Sequence, residues 1–294
     1  MSTDLIYSKE NKVFSDEWNQ ILDEIASFRR KSVAKWIWFR GHSSETYKLD
    51  SGLFRIMDGN KKKLPIEKYL EIESHLFINF KNQSSTFIRE DLIDLHFHMQ
   101  HHGLKTRLLD WTESFVTALY FAFEGWDYNN GENACIWLLD PFALNHFVHG
   151  EEVVFTADNF KIDYNYENLP KIFAEDIELR DEKETFKKHS FAIYPDKNNP
   201  RLLSQNGYFT VQSNSLEDLE AELNDICPQS KEKILKKIIL SPSLLDNVYE
   251  YLTINGINRF TVYNDADGLS AYLNKELTEN LFDPKLKNIT KFRG

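Results

Sequence analysis

Apolar residues recur at two different spacings along this chain, and the alternation between them predicts a mixed α and β fold. From Phe14 to Phe28 they stand at Phe14, Trp18, Ile21, Leu22 and Ile25, the spacing of one helix face, with Ser15 or Asp16 as the cap. Lys35 to Gly41 is short, aromatic and closed by glycine, which predicts a buried strand that delivers Arg40 at its end. After an irregular segment, Leu64–Phe80 and Asp91–Gln100 read as helices, Thr106–Leu109 as a short strand, and Glu113–Glu124 as a helix stopped by Gly125. Strand, turn and helix are therefore expected to meet at Asp110. Ala134–Leu139, Phe191–Tyr194, Tyr208–Gln212, Ile234–Leu240 and Arg259–Tyr263 read as further strands.

Between Gly150 and Lys188 the periodicity weakens and acids accumulate, as at Glu175-Asp176 and Asp181-Glu182, which predicts a surface insertion that is helical in part. The residues from about Asn280 are polar and charged and are expected to fray. At 294 residues, 41% of them hydrophobic and 22 of them Phe, the chain can bury a sizeable core. A net charge of -11 opposes general attraction to phosphate backbones, so a nucleic-acid partner would need a local basic groove. Cys135 and Cys227 lie in dissimilar contexts and read as free thiols of a reducing compartment. Met1-Ser2-Thr3-Asp4 opens without a basic region or apolar core, and no apolar run approaches a membrane span, so a cytoplasmic protein without a membrane partner is expected.

The candidate chemistry sits where apolar runs end in polar residues that packing does not require. Arg40 closes a strand too apolar to hold a guanidinium alone, so it either grips phosphate or carboxylate in bidentate fashion or pairs with Asp50 or Asp110. Arg107 and Arg55 carry the same two readings. Asp110-Trp111-Thr112 lies at the expected entry to a helix, where backbone N–H groups can receive an anion, and Thr112 is equally a helix cap. Asp110 is a general base, a partner that orients Arg40 or His102, or a turn aspartate bonded to its own backbone. The histidines His96, His98, His101 and His102 lack a completing acid or thiol, so no metal is expected and His101 or His102 is read as a hydrogen bonder to substrate or to Asp110. Asp265-Ala266-Asp267-Gly268 has a calcium-loop flavour, but Tyr263 and Asn274 occupy ligand positions, leaving a turn and helix cap. Gln205 precedes the turn dipeptide Asn206-Gly207 and could overhang a cleft or bond neighbouring backbone.

These words resemble a family. Phe39-Arg40-Gly41, the run Gln100-His101-His102-Gly103 to Thr106-Arg107-Leu108-Leu109-Asp110-Trp111-Thr112, and Ala118-Leu119-Tyr120-Phe121-Ala122 are similar to the motifs of the FRG domain family. Arg201 to Thr210 and Gly256 to Leu269 resemble its later elements. The resemblance implies an N-terminal helix over 1–30, an FRG domain over 31–278 with an insertion at about 150–188, and a tail over 279–294. More distantly, the order of a strand ending in Arg, a strand with acid or hydroxyl before a helix, and a strand beside Gln resembles the layout of ADP-ribosyltransferases. It implies an α+β fold, a single mixed domain with a central, largely antiparallel sheet, whole or split, flanked by helices. NAD is then the candidate substrate, with Arg40, Arg107 and Thr112 binding it and Asp110, Gln205 and His102 in catalysis. A protein or nucleic acid is the acceptor, and the role is that of a toxin or antiviral effector. Gln205 departs from the layout because an amide is no base, which leaves a non-catalytic nucleotide-binding or protein-interaction module as the alternative.

Overall fold

Helix α1 (Asp16–Lys31) begins where the Ser15 hydroxyl accepts a hydrogen bond from the Trp18 N–H, and it buries Trp18, Ile21, Ile25 and Phe28 on one face. The elements that follow are β1 (Trp38–His42), α2 (Ile66–Ser84), α3 (Leu92–His101), β2 (Leu108–Thr112), α4 (Phe115–Phe123), β3 (Ala134–Leu139), α5 (Pro141–His149) and β4 (Phe155–Thr156). Then come β5 (Phe191–Tyr194), α6 (Pro200–Ser204), β6 (Gly207–Val211), α7 (Leu219–Ile226), α8 (Lys231–Ile234), β7 (Leu235–Leu240), α9 (Leu245–Ile254), α10 (Arg259–Tyr263) and α11 (Ala266–Thr278). The computed structural model describes residues 13–85, 92–156, 173, 188–195 and 200–278.

The strands form one sheet in the order β4-β5-β6-β2-β1-β3-β7, antiparallel throughout except for the β4–β5 pair. β3 is buried along its whole length because its two faces serve two cores. Ala134, Ile136 and Leu138 pack with α1, α4 and α9, while Cys135, Trp137 and Leu139 pack with Leu144 of α5 and Leu223 of α7. The two-residue period of the strand thus builds a helix–sheet–helix sandwich. A third cluster, with Phe97, Leu108, Phe191 and Phe209, fills the far half of the sheet. Cys135 and Cys227 are free and buried. At the sheet's ends stand β4, two residues long, and β7, which carries Lys236 and Lys237.

Three expectations change. Arg259–Tyr263 is helix α10 rather than a strand, because Asn258 and Thr261 form a reciprocal capping box; over five residues, apolar alternation cannot outweigh a cap. The strand expected at Thr106–Leu109 runs instead from Leu108 to Thr112, so Asp110 is mid-strand and not a turn residue. Its polarity reflects its face, since Leu109 and Trp111 alternate into the core on the other side. The insertion is not wholly superficial: Phe155 and Phe173 are buried in the third cluster with Phe191. The remainder of 157–187, and the tail from 279, lie outside the described residues.

Candidate functional site

The site begins with a gap in the hydrogen-bond ladder. β1 pairs with β3 along all five of its residues, from Trp38 opposite Leu139 to His42 opposite Cys135, and β2 pairs with β6 from Leu108 opposite Val211 to Thr112 opposite Gly207. β1 and β2 share one register pair, Phe39 opposite Thr112. Where the ladder stops, a cavity of about 710 Å³ opens, lined from β1 by Arg40, Gly41 and His42 and from β2 by Asp110, Trp111 and Thr112. That volume is in the range of pockets that enclose a small-molecule ligand. Gln100 and His101 of α3, Gln205 after α6, and the loop between β1 and α2 close it.

Phe39, Arg40 and Gly41 send three adjacent positions to three tasks. Phe39 is buried in the core against α4. Gly41 lets α4 come close: a Cβ there would lie 1.8 Å from the Ala118 carbonyl oxygen and 2.6 Å from the Ala122 nitrogen. Arg40, between them, reaches into the gap, with its side chain 16% exposed.

The Arg40 guanidinium replaces part of the missing ladder. Nη1 donates to the Asp110 backbone oxygen at 2.6 Å, and Nε donates to His42 Nε2 at 2.9 Å. The Asp110 carboxylate is farther, 3.9 Å from Nη1, and Nη2 has no hydrogen-bond partner among the described residues. Burial lowers the Arg40 pKa to about 10, opposed by the Asp110 charge, so the group remains a cation at neutral pH. Burial and the charges of Arg40 and Arg55 push His42 down to about 2. The ring is therefore neutral, and with Nε2 accepting from Arg40 its proton is on Nδ1.

Arg55 supplies a second cation. Its Nε donates to the Asp50 backbone oxygen at 2.9 Å, and its terminal nitrogens have no hydrogen-bond partner among the described residues. The nearby Asp50 carboxylate is already engaged, at 2.8 Å by Lys63 and 2.9 Å by Gln212. In a chain of net charge -11, two guanidinium groups with unfilled donors line one cavity.

Asp110 has a 58% exposed side chain, and its Oδ2 accepts from Gln100 Nε2 at 2.8 Å. Gln100 is itself oriented by the Thr106 hydroxyl, which donates to its Oε1 at 2.6 Å. Thr112 is not the helix cap. Ser114 caps α4 through Thr117 N, while Thr112 Oγ1 accepts from Ser114 N at 3.0 Å and donates to the Gln205 backbone oxygen at 2.5 Å. With α4 capped by its own chain, anion binding at that helix end is not what the local geometry offers. Thr112 instead fixes Gln205, whose Nε2 is buried and has no hydrogen-bond partner among the described residues.

Two expected site residues lie elsewhere. Arg107 is wholly buried away from the cavity lining, in a bidentate pair with Glu73 at 2.7 and 2.6 Å. His102 is exposed outside the lining, edge-on to His101, which does line the cavity. The residues the sequence reading passed over are His42 and Gln100. The first was discoverable, because two residues beyond Arg40 on a strand is the same face. Among the described residues, no three His, Cys, Asp or Glu side chains group as metal ligands, and no helix is long and apolar enough to cross a membrane.

The family model of the FRG domain matches residues 35–130, from just before β1 to the turn before β3. The protein carries an FRG domain. The matched stretch holds Arg40, His42, Arg55, Gln100 and Asp110, whereas Gln205 comes to the cavity from beyond it. Compared with curated proteins and with solved structures, the chain matches none.

Proposed function

We propose that the cavity of this FRG domain binds a nucleotide, NAD being the candidate, and that the protein is an ADP-ribosyltransferase-like enzyme that consumes it. The observation that carries the reading is the convergence of Arg40, Asp110, Thr112 and Gln205 on one cavity at the split between β1 and β2. Arg40, with Nη2 unfilled, takes a diphosphate oxygen. Thr112 holds Gln205, whose amide donates to a ribose or carboxamide oxygen. The glycosidic bond to nicotinamide breaks with its electron pair leaving on the nicotinamide nitrogen, and the Asp110 carboxylate steadies the oxocarbenium ion left behind. Water or an acceptor nucleophile then bonds to the anomeric carbon and releases a proton.

A second reading is favoured by one observation, the neutral amide of Gln205 in the place where a base would serve. On that reading the FRG domain holds the nucleotide without cleaving it and acts as a binding module. Nicotinamide release separates the two. NAD should raise the melting temperature, and incubation should release nicotinamide in wild type but not in Asp110→Asn, which keeps the shape and removes the charge. If NAD binds but no candidate acceptor, nucleic acid included, elicits cleavage, the binding module is the better account. If NAD fails to bind at millimolar concentration, the nucleotide assignment itself falls.

A further inference from the structure

We infer that the outer part of the cavity, built by the loop between β1 and α2, is a ring-stacking subsite that selects a ligand carrying a nucleobase beside its phosphates. The inference rests on the nucleotide reading and assigns the part of the ligand remote from Arg40. Tyr47 is 56% exposed and Met57 48% exposed, and both line the cavity. Apolar side chains left in water at the mouth of a concave site mark a surface that a ligand covers.

The loop that displays them is firmly held. Leu53 and Phe54 are fully buried. The Tyr69 hydroxyl donates to the Ile56 carbonyl at 2.6 Å and accepts from Leu64 N at 3.1 Å. Gln212 accepts from Ser51 N at 2.7 Å, and Met57 itself forms a β-bridge with Lys63. Exposure of Tyr47 and Met57 is therefore a property of a rigid frame rather than of a frayed segment. The Tyr47 ring stands edge-on to His42, 6.1 Å between centroids, so it is tied to the same ring that holds Arg40.

Charge decides between classes of occupant. Arg55 lies on this loop with its terminal nitrogens unfilled and lines the same cavity as Arg40, so one phosphate-bearing ligand can meet both guanidinium groups. A tyrosine ring and a polarizable thioether beside such an anion suit the flat face of a base, whereas a protein surface would have to enter the cavity to reach both guanidinium groups.

Calorimetric titration of the full chain with ADP and with inorganic pyrophosphate, which lacks the base, tests this. Wild type should bind ADP more tightly than pyrophosphate. Tyr47→Ala should weaken ADP by about tenfold and leave pyrophosphate unchanged, while Tyr47→Phe, which keeps the ring, should behave as wild type. Met57→Ala should follow Tyr47→Ala to a smaller degree, and Arg55→Gln should weaken both ligands. If Tyr47→Ala and Met57→Ala leave ADP affinity intact while Arg40→Ala abolishes it, the stacking subsite is wrong and the nucleotide reading stands. If neither ADP nor pyrophosphate binds wild type, both are wrong. Tyr47-dependent ADP binding without NAD cleavage supports the subsite and removes only the catalytic reading.

Discussion

Arg40 and Arg107 both sit in or beside apolar strands and both lie near a carboxylate, yet the protein uses them in opposite ways. Arg107 gives four hydrogen bonds, two to Glu73, one to the Gln212 carbonyl and one to Asn214 Oδ1, with the Phe173 ring 3.5 Å from its guanidinium carbon. Its donors are nearly exhausted and its charge is matched. Arg40 gives its hydrogen bonds to neutral acceptors, a backbone carbonyl and an imidazole, and keeps the Asp110 carboxylate at 3.9 Å. A guanidinium hydrogen-bonded to neutral groups and only loosely paired with a carboxylate is held in place with its charge partly offset, which leaves it able to bind an anion from outside. Proximity to an acid does not make an arginine structural; exhaustion of its donors does.

The largest effect that would break this contrast is at the interior pair. Glu73→Ala leaves Arg107 buried without a counter-charge and should cost about 3–5 kcal/mol of stability, measured by urea unfolding; an unchanged midpoint would mean the pair is dispensable. Next, Gly41→Ala drives a methyl group into the α4 backbone and should cost about 3 kcal/mol, which thermal melting would register whether or not ligand is present. A folded, stable Gly41→Ala protein would show that α4 can retreat from β1.

Acid should act through His42. Its folded pKa of about 2 lies below the ordinary value of 6.5, so the unfolded chain binds the proton more tightly, and stability is lost as pH falls from about 6.5 toward 2. At pH 5 this loss amounts to about 2 kcal/mol relative to neutral pH. His149, lowered to about 4 by burial, adds to it in the same direction. His42→Gln should flatten the dependence of unfolding free energy between pH 7 and 5; an identical slope in the variant would assign the acid sensitivity to other groups. Smallest of all should be the stability change in Arg40→Ala, about 1 kcal/mol, paired with complete loss of nucleotide binding. A melting-temperature drop comparable to Glu73→Ala would place Arg40 with Arg107 in the scaffold.

Much of the sheet was legible because burial imposes a period of two or a continuous apolar run. Ala134–Leu139 reads as a strand from composition alone, and Ser15 marks the start of α1 as a cap should. Arg40, Asp110, Thr112 and Gln205 could be singled out as polar residues that packing does not need, and they line one cavity. What could not be read was pairing over distance. Glu73 stands on α2, 34 residues before Arg107, and nothing local marks it as the partner that takes Arg107 out of the site. Asp110 looked like the end of a strand because a carboxylate interrupts an apolar run, although a strand beside a cavity can present one on alternate positions. The opening between β1 and β2 is likewise invisible in a string of residues, since both strands have ordinary strand compositions.

The ends of the sheet bear on how the chain behaves in company. A terminal strand presents unpaired amides and carbonyls that can template addition of a second molecule. At one end β4 has two residues, too few to recruit a partner strand. At the other, β7 carries Lys236 on one face, paired with Glu24 at 2.9 Å, and Lys237 on the opposite face, where its ammonium donates to the Glu45 carbonyl, so a strand laid along it meets charged groups on both sides. Among the described residues, the backbone edges of this fold are thus poor seeds for aggregation, even though the sheet they bound is broad and its interior strands β3 and β6 are buried along their whole length.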